Sequence, residues 1–116
     1  MNSEEHRELD DAVSSIQSKY LKNLSSKIEC FERLLIRIEN NNEVSSALIE
    51  IKENSHRIYG IGATLGFERL GEIARRVEAT AAELSQATSN RENLRRLVLL
   101  VEEMLDHMKH LQQPFL

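Results

Sequence analysis

Residues 44–84 read VSSALIEIKENSHRIYGIGATLGFERLGEIARRVEATAAEL. Apolar or small residues recur at Val44, Ala47, Leu48, Ile51, Ser55, Ile58, Gly62 and Leu65, then at Phe67, Leu70, Ile73, Ala74, Val77, Ala81 and Leu84. Steps of three and four residues mark one face of an α-helix. The spacing therefore predicts two helices, with Gly66 between them as a stop that tolerates the left-handed backbone of a helix end. Upstream, Val13, Ile16, Tyr20, Leu24, Ile28, Phe31, Leu35 and Ile38 form a similar stripe, which predicts one long helix ended by Asn40, Asn41 and Asn42. A break near Ser18 is an open alternative. Glu4 to Asp11 holds five acids in eight residues; acids favour a helix N-terminus, so a short lead-in helix is expected there. Downstream, 85–90 reads as a loop, and Ser89 with Glu92 has capping-box spacing. The last stripe is Leu94, Leu97, Val98, Val101, Leu105, Met108 and Leu111, ended by Pro114. No strand pattern survives. Four such helices with short loops pack most simply as an antiparallel up-down-up-down bundle.

Composition agrees. A chain of 116 residues suits a single domain spanning 1–116. Four glycines and one proline are too few for a sandwich, a barrel or a glycine-rich nucleotide fold. A net charge of −4 and the absence of Trp argue against nucleic-acid binding. One cysteine, Cys30, allows no internal disulfide and reads as a packing residue. The acidic start lacks a signal-peptide layout and no run is long enough for a membrane helix, so a cytoplasmic setting is expected. Met1 favours a free-standing protein. His107 and His110 lie three apart, but two ligands do not make a metal site. Met104 and Met108 read as core.

His56 is the informative residue. On a helical wheel it lies about 135° from the centre of its own apolar stripe and should face solvent. Ile49, Gly60 and Ala63 fall on the same side. A glycine inside a helix costs about 0.5–1 kcal/mol relative to alanine. Here Gly60 leaves open space beside an imidazole, and Ile49 offers an apolar contact. Helix geometry alone leaves two readings: an ordinary surface histidine, or a ring that another molecule must reach.

The run from His56 to Glu78 resembles the signature of the histidine-containing phosphotransfer (HPt) domain of bacterial two-component phosphorelays. That pattern has a histidine, an apolar residue two on, a lysine three on, a glycine four on and a second glycine ten on. A helix follows with an apolar residue, an apolar-small pair, and an apolar residue before Glu or Gln. His56, Ile58, Tyr59, Gly60, Gly66, Leu70, Ile73, Ala74, Val77 and Glu78 occupy these places. The resemblance implies a phosphocarrier, not an enzyme, whose histidine takes a phosphoryl group from one receiver-domain aspartate and passes it to another. It implies Nε2 as the attacking atom, and Glu78 as the partner that holds Nδ1–H; on its wheel Glu78 lies about 90° from the stripe centre, with Gly71 on the same flank. The alternative for Glu78 is a solvated pair with Arg75.

Tyr59 departs from the pattern's lysine and offers one O–H donor and no charge. Lys52 and Arg75 are therefore candidates to support the phosphate. Ile49, Tyr59, Gly60, Ala63 and Gly71 are the expected docking residues. Expected partners are response-regulator receiver domains and a hybrid sensor histidine kinase, met by a monomer. No cofactor is expected, since Mg²⁺ would sit on the receiver. The rival readings are a phosphorylation-independent adaptor that binds a receiver or kinase, and a plain helical oligomerisation module.

Overall fold

The computed structural model describes residues 3–86 and 91–115. Five α-helices follow one another: α1 Ser3–Lys22, α2 Leu24–Glu39, α3 Val44–Leu65, α4 Glu68–Gln86 and α5 Arg91–Gln112, with a 3-10 turn at Gln113–Phe115 that holds Pro114. Among the described residues there is no strand. The helices α2 to α5 form the bundle. Each packs on the next and α5 returns to α2, with α3 against α4 the most extensive contact. The end of α2 meets the start of α3, and the start of α2 meets the end of α5. Arg37 reaches Glu50 at 2.6 Å, Glu32 lies 3.8 Å from Lys109, and the Gln112 amide donates to Ser25 Oγ at 2.6 Å. α2 therefore runs antiparallel to α3 and to α5, and the two-residue turn after α3 folds α4 back along it, as the all-α bundle reading expects.

The three stripes of α3, α4 and α5 line the interior. Ile51, Ile58, Leu70, Val77, Leu97, Met104 and Met108 are essentially inaccessible, with Phe31 of α2 the largest side chain among them. Cys30 is half-buried against this core.

Between α3 and α4 the turn is two residues long. Gly66 adopts φ +85°, and Phe67 N–H donates to the Gly62 carbonyl at 2.8 Å, which closes a Schellman turn. Gly62 lies where the two helices nearly touch. A Cβ there would stand 3.2 Å from Gly71 N and 3.3 Å from Phe67 O.

The first stripe is divided differently from expectation. Asn23 separates α1 from α2, so the run is two helices and not one, and the lead-in helix is 20 residues long. The Asn23 N–H still reaches back to Lys19 O and Tyr20 O, while Ser26 Oγ takes up the Asn23 carbonyl. Val13 and Ile16, predicted to be core, are 41% and 53% exposed. The reason is that α3 stops short of them: Gln17 donates to Leu65 O, the last residue of α3, at 2.6 Å. The part of α1 before this contact runs on past the end of that helix, with Ile16 at its edge. Of the loop expected at 85–90, Ser85 and Gln86 are helical and the rest lies outside the described residues. The capping signal at Ser89 lies outside the described residues.

Candidate functional site

The α3 backbone presents His56 between buried neighbours. Ser55 is fully buried and Ile58 is 1% exposed, whereas the His56 side chain is 68% exposed. The helix thus faces its core with 55 and 58 and turns 56 outward. Across the α3–α4 contact, Val77 is fully buried and puts Glu78 at the rim, 25% exposed. The two rims meet, with His56 Nδ1 lying 2.9 Å from Glu78 Oε1. An ionised carboxylate only accepts hydrogen bonds, so in the neutral ring Nδ1 carries the proton and Nε2 keeps its lone pair. Glu78 forms no ion pair with Arg75 among the described residues.

The other expected residues divide. Lys52 is half-buried and lines one hollow with Glu53, His56, Arg57 and Glu78. Arg75 is exposed on α4 and does not line that hollow. Ile49 and Tyr59 are 49% and 36% exposed, and Gly60 and Ala63 are also open. At Gly60 an added Cβ would find no atom within 4 Å, so the helix face one turn from His56 is open. Gly71 corrects the expected docking set. It is buried, and a Cβ there would lie 3.6 Å from both Ala63 N and Tyr59 O. Its place is beneath α3, at the close approach of α3 and α4.

A second hollow went unread in the sequence. It is a groove between α1, α2 and α3, bordered by Ile16, Lys19, Tyr20, Lys27, His56, Arg57 and Ile61 among others. Tyr20 stacks on Phe67 at 5.9 Å, and its half-buried phenol is pushed up from its ordinary pKa by burial. The signal available in advance was the register of Arg57, one position after His56. The lysines come from other helices, and a pattern along one stripe does not reveal them.

Among the described residues no three His, Cys, Asp or Glu side chains group as metal ligands, so His107 and His110 gain no third partner. His107 is held below its ordinary pKa, first by burial and then by Arg69 and His110. No helix among the described residues is long and apolar enough to cross a membrane.

No curated protein and no solved structure matches the chain. The family model of the Hpt domain does match, over residues 7–111. Hpt domains are phosphocarrier modules of two-component signalling that interact with receiver domains and kinases. The match reaches from the lead-in helix to the last turn of α5, and this chain belongs to the Hpt domain family.

Proposed function

We propose that this chain, as a monomer, relays a phosphoryl group between aspartates of receiver domains through phospho-His56 in a multistep two-component system. The observation that carries the reading is an exposed imidazole whose Nδ1 lies 2.9 Å from a carboxylate. The Nε2 lone pair attacks the phosphorus of a receiver's aspartyl phosphate. The phosphorus–oxygen bond to the aspartyl group breaks, and its electron pair leaves with the carboxylate. A phosphorus–nitrogen bond has formed, and the positive charge left on the ring is shared with Nδ1–H and met by Glu78. In the second half, an aspartate oxygen of another receiver attacks the same phosphorus. The phosphorus–nitrogen bond breaks and its pair returns to Nε2, so the carrier ends unchanged.

Glu78 serves as the orienting group and Lys52 as a nearby cation. Ile49, Tyr59, Gly60 and Ala63 supply the docking face, which is mostly apolar, as suits a transient contact. Mg²⁺ belongs to the receiver, and a hybrid sensor histidine kinase is the expected source of phosphate. The test uses two purified receiver domains. The first is phosphorylated with labelled acetyl phosphate and freed of excess donor. Label should appear on this chain and then on the second receiver, and His56→Gln should stop both. Transfer that survives in His56→Gln contradicts the relay. Binding without label favours the adaptor reading, which Tyr59 in place of lysine supports.

A further inference from the structure

Tyr59 stands where the resembled pattern has a lysine, so the cation of that place is missing from this chain. We infer that Arg57, with Lys27 and Lys19 across the groove, holds the phosphoryl oxygens on His56; this rests on the relay reading. The first argument is the direction of the ring. Nδ1 is held toward Glu78 on α4, and the two nitrogens of an imidazole diverge, so Nε2 faces outward and is tilted away from α4, toward the opposite flank of α3.

That flank is the α2 side. Around the α3 axis Arg57 lies about 100° from His56 in one sense, while Tyr59 and Lys52 lie about 60° and 40° away in the other. Asn54 and Ile61 share the Arg57 flank. With Arg57 they line a hollow against Ser26, Lys27 and Phe31 of α2. The groove beside the ring then brings together Lys19 of α1, Lys27 of α2 and Arg57 of α3. The usual lysine position, by contrast, leans toward α4.

The second argument is that this charge is uncommitted. Arg57 Nη1 donates to the neutral Asn54 Oδ1 at 3.0 Å, and Lys27 Nζ lies 5.1 Å from the centre of the Tyr20 ring. Among the described residues, none of Lys19, Lys27 and Arg57 forms an ion pair with a carboxylate. Arg37, on the same helix as Lys27, is instead tied to both Glu43 and Glu50. A bound phosphoryl group brings about two negative charges and three acceptor oxygens. The planar guanidinium can leave its amide partner for two of those oxygens, a charge-assisted pairing that the neutral bond does not match. The lysines meet the third from across the groove. The cradle for the phosphate is thereby built from three helices, with α1 one of its walls.

The test is phosphoryl uptake by the full chain from two donors: phosphoramidate, which needs no docking surface, and a receiver domain phosphorylated with acetyl phosphate. With both donors Arg57→Gln should slow uptake about threefold to tenfold, as expected for one partly solvated charge, and Arg57→Gln with Lys27→Gln should slow it further. Arg57→Lys should recover most of the rate, which a purely structural role for the side chain would not produce. Arg95→Gln, an exposed charge on α5, should change nothing. Wild-type uptake that is untouched by Arg57→Gln and by the double variant overturns this inference and leaves the relay standing. A wild-type chain that takes no more label than His56→Gln overturns both.

Discussion

Two glycines one turn-half apart on α3 should respond in opposite ways to the same methyl group. At Gly60 an added Cβ meets nothing within 4 Å. Gly60→Ala therefore gains the helix preference of alanine without a clash, about 0.5–1 kcal/mol. For a domain near this size that raises the thermal midpoint by about 2–8 °C. At Gly62 the same gain is opposed by backbone at 3.2 and 3.3 Å, from Gly71 N, Gly71 Cα and Phe67 O. Backbone cannot swing aside as a side-chain tip can, so α3 and α4 must part. Gly62→Ala should lose about 1–2 kcal/mol net. Urea denaturation of both variants reads these values directly. The functional consequence separates further. The Gly60 methyl would stand one turn from the imidazole on the proposed docking face, so Gly60→Ala should be more stable than wild type yet slower in taking phosphate from a receiver. A Gly62→Ala variant as stable as Gly60→Ala would refute the close-approach argument. A Gly60→Ala variant with unchanged transfer would refute the role given to the open space.

Phe31→Ala, which empties the largest of the fully buried side chains, should cost about 3–5 kcal/mol in chemical denaturation, whereas Leu9→Ala on the 57% exposed face of α1 should stay within about 0.5 kcal/mol. His107 has a lowered pKa in the folded state, so the unfolded chain binds its proton first as pH falls; stability should decline below about pH 6.5, and His107→Gln should flatten that decline in a pH series of melting curves. Glu78→Gln keeps an oxygen that accepts from Nδ1–H and should retain most of the phosphotransfer rate. Glu78→Ala should lose about tenfold, measured by single-turnover labelling.

The bundle was legible wherever the stripe and its punctuation agreed. Gly66 between two apolar faces marked the α3–α4 turn, and the run of three asparagines marked the end of α2, where Asn41 adopts φ +53°. Asn23 carried no such mark. Steps from Tyr20 to Leu24 to Ile28 run straight through it, with no glycine or proline to interrupt them. The same stripe also holds Val13 and Ile16, which stay exposed because α1 runs on past the end of α3. At the site, the outward face of His56 and the flank position of Glu78 both follow from angles around single helices, so their meeting could be anticipated. Gly71 shares the Glu78 flank on the wheel, but tertiary contact buries it. Arg57, Lys27 and Lys19 share no stripe; the packing of α1 and α2 against α3 brings them to one groove.

The central claim is that the His56 imidazole itself carries the phosphoryl group. Its most direct test is phosphorus NMR of the chain after incubation with a phosphorylated receiver, followed by acid and alkali treatment and by peptide mapping. The account predicts a phosphoramidate signal on Nε2 of His56 that is lost in acid, survives alkali and is absent from His56→Gln. A phosphorylated species mapping to any other side chain, or one that persists in His56→Gln, would contradict it.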